Sequence, residues 1–230
     1  MKVKAILFDL GKTLVKPWTP ELVFKRVLFS LGIDRSIDEI RGALAKTDEQ
    51  FNLLNYSSSY GKVPYTEYWA KWDSLVLSYL GIAGGESLVR EIEARWFDHV
   101  DCEVYPDVLV TLSEVKRSGL KTGIISTGYE VDIYAVLEKV SLLREFFDVI
   151  VGADTVKKVK PHPEVFRFAL KKLRVKPKEA LFIGDQIDVD YKGAEEVGIT
   201  PVLIQRTDTE VSAVTGLRVI KGLEEVLQFI

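Results

Sequence analysis

A chain of 230 residues exceeds one average domain but falls short of two full-sized ones, so one core domain carrying an insertion is the economical organisation. Hydrophobic residues make up 47% and charged residues 28%, the balance of a globular chain that buries its own core, which excludes a disordered one. A formal net charge of -3 with no basic stripe removes the counterion-release affinity on which nucleic-acid binding depends, and the single cysteine, Cys102, excludes an internal disulfide or a cysteine-built zinc site.

The opening MKVKAILFDL holds an apolar run far too short to span a bilayer, and it leads into a chemical motif in place of a cleavage site. We expect a cytoplasmic protein with no membrane partner. Two Asn, four Gln, one Met and one Cys lean weakly toward a thermophilic source. Residues 3–8 are the first compact apolar run, ending in Asp9; similar runs end at Ser126, near Gly152, at Gly184 and near Ile204, and read as buried parallel strands.

From Trp18 to about Asp101 the pattern is helical throughout and opens on the start signal Thr19, Pro20, Glu21. Helices are expected at 21–31 and 66–80, with a polar loop at 55–61. All four Trp lie in this stretch, and Trp69 and Trp72 recur at helical spacing, which favours the insert's own core as their place. Beyond it, amphipathic stretches at 108–116, 131–139, 164–173 and 188–197 alternate with the strands. The expected fold is α/β, a doubly wound parallel sheet, with residues 1–17 and 102–230 as core domain and 18–101 as an inserted helical domain. In such sheets chemistry collects at the carboxyl ends of the strands, beside the point where strand order reverses.

The notable polar residues sit at those ends. In FDLGKTL a strand delivers Asp9 to a glycine-containing turn followed by Thr13, and an exposed carboxylate there can attack phosphorus and split a hard hydrolysis into two easier steps. Taken alone, a turn-forming Asp explains the motif as well. The run KTGIIST ends in two hydroxyls, Ser126 and Thr127, donors able to hold a phosphoryl oxygen, Ser126 foremost. In KVKPHPEVF, Pro161 and Pro163 stiffen the backbone before a helix start and pin Lys160, whose ammonium can offset a carboxylate and an incoming phosphate. His162 reads as structural, and Lys157 and Lys158 as solvated. In GDQIDVD, Asp185, Asp188 and Asp190 crowd together, a costly arrangement unless a cation sits there, and hard oxygen ligands point to Mg²⁺. Asp185 is the foremost ligand and Asp190 a ligand or its partner, while Asp188 can simply favour a helix dipole.

Asp9 with Thr13, Ser126, Lys160 followed by PHPEVF, and GDQIDVD resemble, in order and over essentially the whole chain, the four motifs of the haloacid dehalogenase superfamily. The resemblance implies Asp9 as nucleophile through an aspartyl-phosphate, Ser126 as phosphate binder and Lys160 as charge stabiliser. It further implies Asp9, Asp185 and the Gly11 carbonyl as Mg²⁺ ligands, and an insert equivalent to the family's helical cap of the first type. A small phosphate ester is the expected substrate, turned over by a monomer or homodimer. One position departs: family phosphatases carry an Asp two residues after the nucleophile as general acid and base, and here Gly11 stands there. That keeps open a 2-haloacid dehalogenase, whose halide leaves without a proton, and an inactive member that binds phosphorylated ligands or a protein. A phosphonate-cleaving enzyme ranks lower, because Lys25, Lys46, Lys62 and Lys71 of the insert are undistinguished as Schiff-base formers.

Overall fold

The computed structural model describes residues 2–142, 144–206 and 216–230. It divides into two compact units, one of Met1–Pro17 with Glu103–Ile230, the other of Trp18–Cys102. The first unit is built on β1 (Ala5–Phe8), β2 (Lys121–Ile125), β3 (Val149–Val151), β4 (Ala180–Gly184), β5 (Thr200–Ile204) and β6 (Val219–Ile220). These strands pair parallel throughout, in the order β3-β2-β1-β4-β5-β6. The five apolar runs of the sequence are the first five strands. β6, two residues long against Leu203 and Ile204, is too short for periodicity to reveal. All four residues of β1 are fully buried, because a central strand of a parallel sheet is covered on both faces. The chain runs outward from β1 through β2 and β3, then returns to lay β4 against the other edge of β1. Strand order therefore reverses between β1 and β4.

The second unit holds α1 (Pro20–Ser30), α2 (Ile37–Leu53), α3 (Tyr65–Tyr79) and α4 (Gly85–His99). Its core joins Val23, Phe24, Val27 and Leu28 of α1 to Ile40 and Ala43 of α2, Val76 and Leu77 of α3, and Val89 and Ile92 of α4. The 23/24/27/28 spacing is the inward stripe of an amphipathic helix, and each fully buried Val, Leu or Phe contributes roughly 1.5–3 kcal/mol. α2 starts on a capping box, in which the Ser36 hydroxyl accepts from the Glu39 amide and Glu39 accepts from the Ser36 amide at 2.8 Å. Trp96 meets Phe24 edge-on at 5.2 Å, and Trp72 meets Phe51 at 5.0 Å. Among the described residues no helix is long and apolar enough to cross a membrane.

One polar residue sits poorly in this second unit. Asp73 of α3 is 5% exposed, and burial, with the Glu93 carboxylate of α4 behind it, pushes its carboxyl well above the ordinary range. Its folded pKa thus exceeds its unfolded one. Stability is whole below the unfolded value and falls as pH rises through the folded value. Asp73→Asn is expected to raise stability at pH 7 by about 1–3 kcal/mol. The gain should vanish below about pH 4; chemical denaturation at the two pH values checks both arms.

The first unit is completed by α5 (Val108–Arg117), α6 (Glu130–Lys139), α7 (Pro163–Leu173) and α8 (Lys192–Glu196), the last preceded by a π-helical turn at Ile187–Tyr191. Val165, Phe166, Ala169, Leu170 and Leu173 of α7 pack against Phe182, Leu7 and Val151 of the sheet.

Candidate active site

Asp9 follows β1 without a break: its amide donates to the Ile183 carbonyl at 2.8 Å, continuing the ladder to β4. The chain then turns back tightly. Leu14 and Val15 amides both reach the Leu10 carbonyl, the Lys12 amide reaches the Val15 carbonyl at 2.7 Å, and Lys12 takes a left-handed φ of 58°. Residues 14–16 then run beside 103–105, Lys16 and Tyr105 amides donating to the Glu103 and Leu14 carbonyls, so the strands leading to and from the insert are paired.

This turn places Asp9, 7% exposed, at the switch point of the sheet. The Lys160 ammonium donates to Asp9 Oδ1 at 2.6 Å and the Thr13 hydroxyl to Oδ2 at 3.2 Å. Thr13 is fully buried, so its hydroxyl is spent on the carboxylate of Asp9. Lys160 is 4% exposed and donates also to Asp190 Oδ1 at 2.6 Å, while Lys157 and Lys158 are exposed. The Lys160–Pro161 bond is cis, and His162 caps α7 by accepting the Glu164 amide at its Nδ1.

Asp190 has both oxygens engaged, because Oδ2 accepts from the Gln186 amide at 3.1 Å. Its approach requires a glycine at the end of β4. A Cβ on Gly184 would lie 2.4 Å from Asp190 Cγ, a distance that no packing adjustment of a buried carboxylate accommodates. Asp188 points the other way, into solvent, and pairs with Lys192 at 2.6 Å. Residues two apart on a helical turn do not share a face, so the adjacent acids of GDQIDVD separate. The third member of the cluster is Asp9: ligand atoms of Asp9, Asp185 and Asp190 all lie within 4.8 Å of one another.

Carboxylates thus outnumber the buried ammonium three to one. Burial pushes Asp9 upward against the opposing charge of Lys160. Burial works against the Lys160 charge too, but Asp9 and Asp190 outweigh it and hold this ammonium above its ordinary pKa. Asp185 is pushed up to about 6, chiefly by burial and then by the charges of Asp9 and Asp190, with Lys12 opposing. Such under-compensation, in oxygen ligands alone, fits a hard divalent cation.

Ser126 lies just past β2, half-buried, its amide on the Val151 carbonyl and its Oγ accepting from the Gly128 amide at 3.1 Å, which leaves the hydroxyl proton to point elsewhere. Thr127 beside it is exposed. Gly11 is exposed, and a Cβ built on it meets nothing within 4 Å. The sequence motifs did not single out Arg206, just beyond β5, whose guanidinium reaches the Thr13 carbonyl and Asp107. Its place at a strand's carboxyl end was the available signal.

Fold and site together define an α/β core with a buried carboxylate at the switch point of its parallel sheet. The chain belongs to the haloacid dehalogenase-like hydrolases, whose family model matches residues 3–198. It is 29% identical over 210 residues to a glyceraldehyde 3-phosphate phosphatase of Methanocaldococcus jannaschii, covering 88% of this chain and 85% of that one. Against the pyrophosphatase PpaX of Bacillus cereus it is 31% identical over 209 residues, covering 90% and 85%. Among solved structures it resembles an HAD phosphatase from Thermococcus onnurineus, with a TM-score of 0.64 and 27% identity over 99% of this chain and 97% of the other.

Proposed function

We propose that the protein is a Mg²⁺-dependent phosphatase of small phosphate esters or anhydrides, working through an aspartyl-phosphate on Asp9. The observation that carries this reading is the Asp9 carboxylate, held between Lys160 and Thr13 and set against Asp185 in a cluster short of positive charge. Phosphatase relatives of similar length support it.

Asp9 attacks phosphorus in line with the leaving group: the bond from its carboxylate oxygen to phosphorus forms as the bond to the leaving oxygen breaks. Lys160 stays protonated throughout, offsetting the charge shared by Asp9 and the phosphoryl group. Ser126, with Thr127 beside it, donates to a phosphoryl oxygen. Water then attacks phosphorus, its oxygen bonding as the bond from phosphorus to the Asp9 oxygen breaks; the water's protons leave on the inorganic phosphate and Asp9 regains its carboxylate. Asp9 and Asp185, with the Gly11 carbonyl, would hold the Mg²⁺, whose chemistry is to polarise the phosphoryl group and neutralise its charge. Asp190, both oxygens engaged, anchors Lys160 from behind.

The space at Gly11 shapes selectivity. With no carboxyl there to protonate the departing oxygen, substrates whose leaving group departs as an anion are favoured: aryl phosphates, acyl phosphates and anhydrides. Gly11→Asp is a permitted substitution at its first atom, because a Cβ there meets nothing within 4 Å. A positioned acid is worth about 10² to 10⁴ in rate, so this variant should gain at least about tenfold on alkyl phosphates and far less on aryl phosphates. Steady-state rates on the two series check it; an equal gain on both would mean that proton supply does not limit the alkyl esters. A panel of phosphate monoesters and anhydrides with and without Mg²⁺, run beside 2-haloacids, tests the whole reading. Halide release without metal would overturn it in favour of a dehalogenase.

A further inference from the structure

We infer that Arg206 is a positioning residue for the nucleophile, acting through the main chain of the Asp9 loop; this rests on the reading of Asp9 as the attacking carboxylate. Arg206 lies two residues past the end of β5, and its side chain is only 8% exposed. Its Nε and Nη2 both donate to the Thr13 carbonyl, at 3.2 and 2.6 Å, and its Nη1 pairs with Asp107 Oδ2 at 2.5 Å. The guanidinium lies 4.0 Å from the centre of the Tyr105 ring, and the Tyr105 amide donates to the Leu14 carbonyl at 3.1 Å. Asp107 Oδ2 also accepts the Leu223 amide at 2.7 Å, so the carboxylate that orients Arg206 is itself fixed from the C-terminal segment.

These contacts converge on Thr13, whose other end, the hydroxyl, holds Asp9 Oδ2. Residues 10–13 contain Gly11 and the left-handed Lys12, and the Lys12, Leu14 and Val15 amides that close the turn leave the Thr13 carbonyl to Arg206, so without that fork this peptide is free to take other orientations. A planar fork that fills one carbonyl with two donors and a carboxylate with a third selects one of them. The Thr13 hydroxyl then meets Asp9 from a fixed direction, and the carboxylate is presented in one orientation. A nucleophile misplaced by about 1 Å loses on the order of 10² in rate.

The test combines kinetics with amide hydrogen exchange on Arg206→Ala and Arg206→Lys, using an activated aryl phosphate and Mg²⁺. Arg206→Ala is expected to lower kcat by about 10- to 100-fold with KM changed little, and to speed exchange at residues 12–15 while β1 and β4 stay protected. Arg206→Lys, which keeps the charge but reaches one acceptor at a time, should fall between and guards against a variant that fails to fold. Added guanidinium ion at non-denaturing concentration should restore part of the Arg206→Ala rate. A kcat within about twofold of the parent, or exchange at 12–15 unchanged, overturns the inference. If the parent itself does not turn over, the phosphatase reading fails separately, and the exchange comparison still decides whether Arg206 holds the loop.

Discussion

Replacing Asp9 with asparagine is expected to lower turnover of any phosphate ester by at least about 10³-fold while leaving the protein folded. The amide has the size of the carboxylate but no nucleophilic oxygen anion. The neighbours survive the change. Lys160 keeps Asp190 as a partner at 2.6 Å and can donate to the new amide oxygen, while the amide NH2 can donate to the Thr13 hydroxyl oxygen. Burial already pushes the Asp9 carboxyl upward, so a neutral isostere relieves desolvation at that point. Melting temperature should therefore hold or rise as kcat collapses. That opposition separates a lost nucleophile from a lost fold, and paired thermal melts and rate measurements read it directly. Full activity in Asp9→Asn would remove the nucleophile assignment altogether.

Lys160→Met should damage both properties. Its ammonium reaches two buried carboxylates at 2.6 Å each, and removing it leaves them facing one another without compensation. Breaking a buried pair by deleting one partner costs about 3–5 kcal/mol. Turnover should fall by about 10²-fold or more, because the charge that offsets the phosphoryl group is gone. With the opposing charge removed, burial pushes Asp9 still further above its unfolded value. A raised folded pKa means stability that is whole at low pH and lost as pH rises through that pKa. The variant should thus be nearest the parent in acid and furthest from it at neutral pH, as urea midpoints across that range would show. A variant equally stable at neutral pH would mean that the three carboxylates are not ionised together.

Much of this site was legible in the sequence because strand ends are legible. Apolar runs stopping at Asp9, Ser126 and Gly184 mark β1, β2 and β4, and a parallel sheet brings their carboxyl ends together whatever lies between. Lys160 stood out from Lys157 and Lys158 only by the prolines after it, and it alone of the three is buried. The acidic cluster was harder. Sequence adjacency grouped Asp185 with Asp188 and Asp190, whereas the π-helical turn sends Asp188 to the surface and the sheet supplies Asp9 in its place. A turn's facing is set by tertiary packing, which composition does not carry. Arg206 had only its place after a strand end to mark it, because its partners Thr13 and Asp107 are 193 and 99 residues away in the chain. The helices of the insert were legible as a class, but α2 and α4 were not individually delimited, since their bounds are set by caps such as Ser36 with Glu39.

The most direct test is to mix enzyme, Mg²⁺ and an activated aryl phosphate, quench in acid within the first turnovers, and map the peptides by mass. One phosphoryl group on Asp9 is the result expected, absent from Asp9→Asn and from samples containing EDTA. Hydrolysis that proceeds unchanged in EDTA, or that leaves a covalent phosphoryl group elsewhere than on Asp9, would contradict the mechanism.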